Sequence, residues 1–350
     1  MTIYFNLVPG GPLGSFLIHW NLLKSKKRDS TAIMIVVAIA GGFGDLGQQF
    51  SKALRDTGKY EIIVLKRQGS TSKEIPGFTV AEVDFSSVDA LTEFLKVKNV
   101  HTVVSALGVH WKEASENQVN LIQAAEASKT VKRFLPAEYT YDYAKSNHIK
   151  SFYCKEFTDA NRQALAKTNL EYTIVYTSQF MDYFGLPNIK TPMNGIYLLL
   201  DVPNKTAVLP GDGTGVLSCI LTPDFAKFIP ALLELPRWDP VYNAIGDSMT
   251  FNGLVEAAER ATGSKFRVVH DSVEKLCSGS PTLLPGNEEI FQNWQIGRDD
   301  TIQFCAAISV GLAVGAGDVS GEGTNLNKLF PDIKTTKVED YIRSCFQPDT

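Results

Sequence analysis

The hydrophobic pattern of the chain becomes regular at Met34, where continuous apolar runs begin to alternate with amphipathic segments. The run MIVVAIA (34–40) is rich in β-branched residues, which is typical of a strand buried on both faces of a parallel sheet. Segment 48–57 carries apolar residues at helical spacing, and Gly58 can end that helix. The pattern predicts a strand, a glycine-rich turn and a helix in succession.

The same alternation continues through the first half of the chain. Further strands are predicted at 61–67, 78–85, 100–108, 131–136 and 172–180, and further helices at 88–96, 116–128 and 152–168. Strands that alternate with helices predict an α/β fold, here a Rossmann-type doubly wound parallel sheet.

The pattern is less regular in the second half, where glycine and proline are frequent and short elements alternate with loops up to a helix predicted at 338–345. We predict a dinucleotide-binding Rossmann domain at 34–185. Residues 186–350 are predicted to form mainly a smaller, discontinuous substrate-binding lobe, with elements that return to the Rossmann core. We interpret residues 1–33 as a disordered or spurious extension, with a weak targeting or membrane-surface segment as the alternative.

Composition and charge limit the classes of partner. The formal net charge is -4 and no block of like charges occurs, which argues against nucleic acid and membrane surfaces as partners. No apolar run reaches the roughly 20 residues of a membrane-spanning helix. The five cysteines lie far apart in the sequence and favour a reducing, cytoplasmic location without a metal site.

Four glycines, Gly41, Gly42, Gly44 and Gly47, lie directly between the first predicted strand and its helix. The first allows a tight turn, the middle ones let the backbone approach a pyrophosphate, and the last permits close packing of the helix on the strand. The helix N-terminus then presents free N–H groups to the phosphates. These residues predict a dinucleotide site, in which Ser105 and Ala106 at the end of the fourth strand line the cofactor.

The end of the second strand distinguishes NAD from NADP. Lys66 and Arg67 stand where an acidic residue would bind the ribose hydroxyls of NAD, and a guanidinium can bind a 2′-phosphate with two hydrogen bonds. The sequence therefore predicts NADP as the cofactor. The alternative is that both residues are solvated on a loop.

Several motifs together resemble the NmrA-like and isoflavone-reductase-like atypical short-chain dehydrogenases. They are the glycine turn, VLKRQGS (64–70), Gln118 with LIQAA (121–125), RFLPAEYTYD (133–142) and Lys155. The resemblance extends from about Met34 to KLFPDIKTTKVEDYI near the C-terminus. Members of this family include NADPH-dependent reductases of phenolic compounds, fungal enzymes of secondary metabolism, and regulators that only bind the cofactor.

The resemblance also implies roles for individual residues. Gln118 is expected to contact the cofactor, and Lys155 matches a lysine that contributes to the family's catalytic site. The stretch 133–142 resembles the family's RF-x-P-S-E-F-G-x-D, but Ala137 replaces the usual serine and Thr140 the usual glycine. These departures weaken any role for a hydroxyl at position 137.

The remaining chemistry allows alternatives. Tyr141 and Lys145 have the i, i+4 spacing of a tyrosine–lysine pair, and His148, Tyr153 and Tyr183 are further possible proton donors. We expect an NADPH-dependent reductase of a small apolar or phenolic carbonyl or alkene compound, with Lys155 as its catalytic residue. The rival hypothesis is a non-catalytic NADP sensor of the NmrA type, which would act on a protein partner.

Overall fold

Six parallel strands form the central sheet in a computed structural model of the protein, which describes residues 34–70, 77–146, 155–193, 195–293 and 297–347. The strands are β1 (Ile35–Ala40), β2 (Tyr60–Arg67), β3 (Thr79–Val83), β4 (Thr102–Ser105), β5 (Arg133–Leu135) and β6 (Glu171–Tyr172). The first-half helices are α1 (Asp45–Thr57), α2 (Val88–Val97), α3 (Lys112–Ser128) and α4 (Lys155–Leu165). The predictions for 1–33 and for the start of the helix at 152 lie outside the described residues.

The strand order is β3-β2-β1-β4-β5-β6, and each neighbouring pair is parallel. The order therefore reverses between β1 and β4. In doubly wound sheets, ligands bind at such a reversal, beside the carboxyl ends of the strands. The predicted Rossmann-type fold is confirmed.

Side chains of β1 alternate between two cores, one on each face of the sheet. Val37 and Ile39 pack with Phe50 of α1, whereas Val36 and Ala38 pack on the opposite face with residues of α2 and α3. Burial on both faces explains why this strand has a continuous apolar sequence.

The second half contains shorter elements. Its strands are β7 (Ile174–Tyr176), β8 (Gln179–Phe180), β9 (Leu200–Asp201), β10 (Thr206–Pro210), β11 (Val216–Ile220), β12 (Val241–Asn243), β13 (Asp247–Thr250), β14 (Arg267–Asp271) and β15 (Thr324–Asn325). Its helices are α5 (Thr222–Leu233), α6 (Phe251–Thr262), α7 (Val273–Cys277), α8 (Asn287–Asn293), α9 (Arg298–Ala313), α10 (Leu326–Leu329) and α11 (Val338–Phe346). Two 3₁₀ helices span Tyr143–Ser146 and Met181–Gly185.

The strands from β7 onward form three small sheets, with orders β14-β10-β9, β13-β11-β8 and β15-β12-β7. Second-half elements also pack on the Rossmann half, since the ring of Phe225 in α5 lies 5.5 Å from that of Phe50 in α1 and shares a core with Val37 and Ile39 of β1. The residues from Met34 onward form one unit by their contacts, and a domain boundary at residue 185 stays a prediction.

The single strand predicted at 172–180 is wrong, because the structure has three short strands there. β6 pairs with β5, β7 with β12, and β8 with β11. The N–H groups of Thr177 and Ser178 both donate to the carbonyl of Thr140, and Ser178 has a φ of 58°. A left-handed residue cannot continue a strand, so the chain changes sheets at this point.

Candidate functional site

The glycine turn packs directly on the loop that follows β4. Gly41 has a φ of +75°, and a Cβ there would lie 2.6 Å from the carbonyl oxygen of Ala106. A Cβ on Gly42 would lie 2.6 Å from a β2 side chain, and one on Gly47 would lie 2.2 Å from the Gly41 oxygen. The Gly44 N–H closes the turn by donating to that same oxygen at 2.9 Å. Backbone atoms therefore form this surface because side chains do not fit.

Helix α1 presents its N-terminus at this turn. Its N-cap residue, Gly44, makes no side-chain cap hydrogen bond. The free N–H groups and the positive end of the helix dipole favour a bound phosphate. The turn and the helix N-terminus therefore fit the pyrophosphate of a dinucleotide.

A buried hydroxyl at the end of β4 gives a second indication of a ligand. Ser105 is completely buried, and its Oγ has no hydrogen-bond partner among the described residues. Its carbonyl accepts a hydrogen bond of 2.8 Å from the Tyr139 hydroxyl. Because an unpaired buried hydroxyl is costly, a ligand atom beside Ser105 would satisfy it. The position of Ser105 next to Ala106 and the glycine turn fits this role.

Lys66 and Arg67 lie at the carboxyl end of β2, as predicted. Lys66 Nζ lies 2.9 Å from Glu82 Oε1, and Arg67 Nη1 lies 2.8 Å from Glu113 Oε1 in the first turn of α3. Both side chains of the Arg67–Glu113 pair are exposed, so this ion pair is weak and a phosphate can replace Glu113. Their contact with a 2′-phosphate stays a prediction.

Gln118 is buried and has protein partners at both ends of its amide. Its Nε2 donates to Asn161 Oδ1 at 3.0 Å, and its Oε1 accepts from the Ala137 N–H at 2.9 Å. Gln118 therefore joins α3 to α4 and to the loop after β5. A direct contact between Gln118 and the cofactor stays a prediction.

Lys155 is the first residue of α4, and its side chain is 28% exposed. Its Nζ forms an ion pair with Asp159, one turn further along the helix. Its role in catalysis stays a prediction.

The other proton-donor candidates are either outside the described residues or poorly placed for the predicted role. His148 and Tyr153 lie outside the described residues. Tyr141 and Lys145 do not share a helix face, because Tyr141 precedes the 3₁₀ helix that contains Lys145. Tyr183 lies in the second 3₁₀ helix, and burial raises its pKa above the ordinary value.

A partly buried ion-pair network that the sequence did not reveal lies beside the loop after β5. Arg162 of α4 donates to Glu138 Oε1 at 2.9 Å, to Asp142 Oδ1 at 3.0 Å and to the Tyr176 hydroxyl at 2.7 Å. Burial raises the pKa of Glu138 to about 7, although Arg162 opposes this shift. Glu138 and Asp142 were visible in the resemblance, whereas nothing in the sequence pattern distinguished Arg162. The network fixes the loop on α4 and β7.

Within the described residues, no group of three or more His, Cys, Asp or Glu side chains could hold a metal ion. In that part of the chain, no helix has the length and apolar character needed to cross a membrane.

Comparisons with known proteins place this geometry in context. Residues 41–189 match the model of a family described as NAD(P)H-binding. Oxidoreductase swnN of Metarhizium robertsii is 31% identical over 89% of this chain and 97% of its own length. Phenylcoumaran benzylic ether reductase IRL1 of Ginkgo biloba is 25% identical over 87% of this chain and 97% of its own.

Among solved structures, the binary complex of leucoanthocyanidin reductase with NADPH from Vitis vinifera is similar in fold. Its TM-score is 0.68, with 19% sequence identity, over 89% of this chain and 99% of that chain. At this identity the likeness concerns the fold alone.

Proposed function

This chain belongs to the NAD(P)H-binding, isoflavone-reductase-like family of oxidoreductases, and from that premise we propose that it is an NADPH-dependent reductase of a small apolar or phenolic carbonyl or alkene compound. A place in secondary metabolism of the fungal type is part of the proposal, because a relative of similar length is a fungal oxidoreductase.

One observation supports NADPH over NADH as the cofactor. The glycine turn, which excludes side chains, lies beside Lys66 and Arg67 at the end of the neighbouring strand β2. A dinucleotide whose pyrophosphate lies on this turn would bring its adenosine ribose to the end of β2. Two cations at that point favour a 2′-phosphate, which NADPH has and NADH lacks.

The residues of the chain position the reactants, and the bound dinucleotide supplies a hydride. Lys155 is the proposed catalytic residue. Its Nζ can hold a ribose hydroxyl or polarise a substrate carbonyl, and its ion pair with Asp159 holds the side chain in position. The Arg162 network holds the neighbouring loop in place.

The relatives favour a reductase over the regulatory alternative, because they are named oxidoreductases and reductases. A sensor would bind NADPH and respond through a partner without oxidising the cofactor. The experiment below separates these outcomes.

Single-turnover oxidation of bound NADPH tests the proposal with a panel of aromatic aldehydes, ketones and conjugated alkenes. Lys155→Ala is expected to lower turnover by about 10² to 10⁴, the range for a positioned acid or base, with a much smaller loss of NADPH affinity. Lys167→Ala, an exposed position just beyond the same helix, is the control and should behave like the wild type.

Unchanged turnover in Lys155→Ala would remove Lys155 from the mechanism. If no compound of the panel oxidises NADPH while partner binding responds to it, the regulatory function replaces the proposed one.

A further inference from the structure

Four aromatic side chains form a wall between the loop after β4 and helix α9. This aromatic wall consists of His110, Trp111, Tyr143 and Phe304. The ring of Phe304 lies 5.7 Å from that of His110 and 5.6 Å from that of Trp111. The ring of His110 lies 6.3 Å from that of Tyr143. The wall therefore joins a Rossmann loop to a helix of the second half.

The wall begins close to the cofactor turn. Ala106, whose carbonyl approaches Gly41, precedes His110 by four residues on the same loop. That loop follows β4 at the reversal of strand order, where a ligand is expected beside the carboxyl ends of the strands. A substrate that must meet the bound nicotinamide would enter the same crevice.

Contacts behind the wall hold it in place. Tyr143 is buried, and the ring of Tyr141 packs against it edge to face at 5.1 Å. The Tyr141 hydroxyl donates to the carbonyl of Ile308 in α9, and a Cβ on Gly311 would lie 2.2 Å from that hydroxyl. Helix α9 is thus fixed against the first 3₁₀ helix, and Phe304 is held with it.

The state of His110 follows from its surroundings. Its Nδ1 lies 3.3 Å from the Tyr143 hydroxyl, which can donate to it. Burial lowers the pKa of His110 to about 4, so the imidazole is neutral at physiological pH. We assign the neutral tautomer in which Nδ1 accepts from the Tyr143 hydroxyl and Nε2 carries the proton, and Nε2 has no partner within the described residues. Nε2–H is therefore a hydrogen-bond donor.

We propose that the aromatic wall binds the ring of an aromatic carbonyl substrate and that His110 Nε2–H donates a hydrogen bond to its carbonyl oxygen. The proposal rests on the proposed function and names the substrate class of the same site. With NADPH bound, transfer of its hydride to the carbonyl carbon would move the π electron pair to the oxygen, and water would supply the proton that completes the alcohol. The donor stabilises the negative charge that develops on the oxygen.

Binding tests the ring preference without turnover. Isothermal titration with NADP⁺ present compares 4-hydroxybenzaldehyde with cyclohexanecarbaldehyde. We expect the aromatic aldehyde to bind about tenfold more tightly, because edge-to-face and offset contacts between aromatic rings stabilise the complex beyond the burial of apolar area. Phe304→Leu should remove most of this preference. Equal affinities in the wild type, or no binding of either compound, would overturn the proposal.

Turnover tests the hydrogen bond. His110→Phe keeps a ring against Phe304 but removes the donor, and kcat should fall by about 10² to 10³. His110→Gln should retain most of kcat, because its amide nitrogen can take the place of Nε2. If His110→Phe matches the wild type, or if both variants lose kcat equally, His110 is not the donor.

NADPH titration of the same variants separates this inference from the proposed function. If the wild type does not bind NADPH, the proposed function fails first. If NADPH binds and is oxidised but the His110 variants have the same kcat as the wild type, the proposed function stands and only the role of His110 as a donor fails. If His110→Phe does not fold, Tyr143→Phe tests the proposal in its place. Loss of the hydrogen bond from the Tyr143 hydroxyl to His110 Nδ1 should lower kcat without changing NADPH affinity. An unchanged kcat in Tyr143→Phe would contradict the proposal.

Discussion

At the scale of single residues, Gly41 and Gly47 keep two backbone segments closer together than any side chain allows. Such a close approach requires glycine at fixed positions in a short stretch of chain, and the glycine turn was therefore visible in the sequence. His110 and Arg162 were not visible in the same way. Their partners lie far away in sequence, since Phe304 contacts His110 and Glu138 contacts Arg162 only in the folded chain. A residue type at one position does not reveal such contacts.

Gly47→Ala tests the packing of the turn. The added Cβ would lie 2.2 Å from the Gly41 oxygen and 2.6 Å from the Gly42 Cα, so the backbone must shift. We expect a loss of about 1 to 3 kcal/mol in the free energy of unfolding, together with weaker NADPH binding. Urea unfolding and cofactor fluorescence measure the two effects.

Gly321→Ala is the matched control, since nothing lies within 4 Å of its added Cβ and its backbone is not left-handed. A Gly47→Ala protein with wild-type stability and NADPH affinity would show that the turn tolerates a side chain.

At the scale of elements, buried β-branched runs and amphipathic helices were predicted close to their observed bounds. The first helix begins at Asp45 instead of residue 48 and ends at Thr57, with the predicted Gly58 as its C-cap. The segment 172–180 was misread because β-branched and aromatic residues recur along it, whereas its break depends on the distant carbonyl of Thr140. Local periodicity does not contain that information.

Glu126 joins two elements and gives a prediction about pH. It accepts hydrogen bonds from Lys129 at the end of α3 and from both nitrogens of Asn169 beyond α4. The Lys129 bond, with help from Asn169, lowers the pKa of Glu126 from its ordinary 4.5 to about 2. A carboxylate with a lowered pKa in the folded state stabilises the protein above about pH 4.5, and this stabilisation is lost as the pH falls toward 2.

Glu126→Gln should therefore lower the free energy of unfolding by about 1 kcal/mol at neutral pH. The difference from the wild type should shrink below about pH 4.5. Urea unfolding across this range measures it. Glu116→Gln in the same helix is the control. Glu116 is exposed, and its Oε1 lies 3.9 Å from the Nζ of Lys112, so its ion pair is weak. A difference that stays constant with pH would show that the Glu126 charge does not matter.

At the scale of the whole molecule, the sequence indicated the Rossmann sheet and its ligand edge but not how the second half completes the crevice. Its small sheets are built from strands of two to five residues, which have little periodicity of their own. Helix α9 meets the first half through contacts such as Tyr141 with Ile308. The shape of the substrate pocket depends on such contacts. The sequence therefore supports only the broad class of small apolar or phenolic carbonyl or alkene compounds, and the aromatic wall is what favours an aromatic carbonyl in our proposal.

The central claim is that the crevice between the glycine turn and the end of β2 binds NADPH in preference to NADH. Arg67 is the most direct test of this claim, because its guanidinium can exchange Glu113 for a 2′-phosphate. Charge-assisted hydrogen bonds contribute roughly 1.5 to 3 kcal/mol, which corresponds to about ten- to hundredfold in affinity.

The measurement is a fluorescence titration of the wild type and of Arg67→Ala with both cofactors. The wild type should bind NADPH at least about tenfold more tightly than NADH, and Arg67→Ala should lose most of this preference while its NADH affinity stays nearly unchanged. Equal affinities of the wild type for NADPH and NADH would contradict the account.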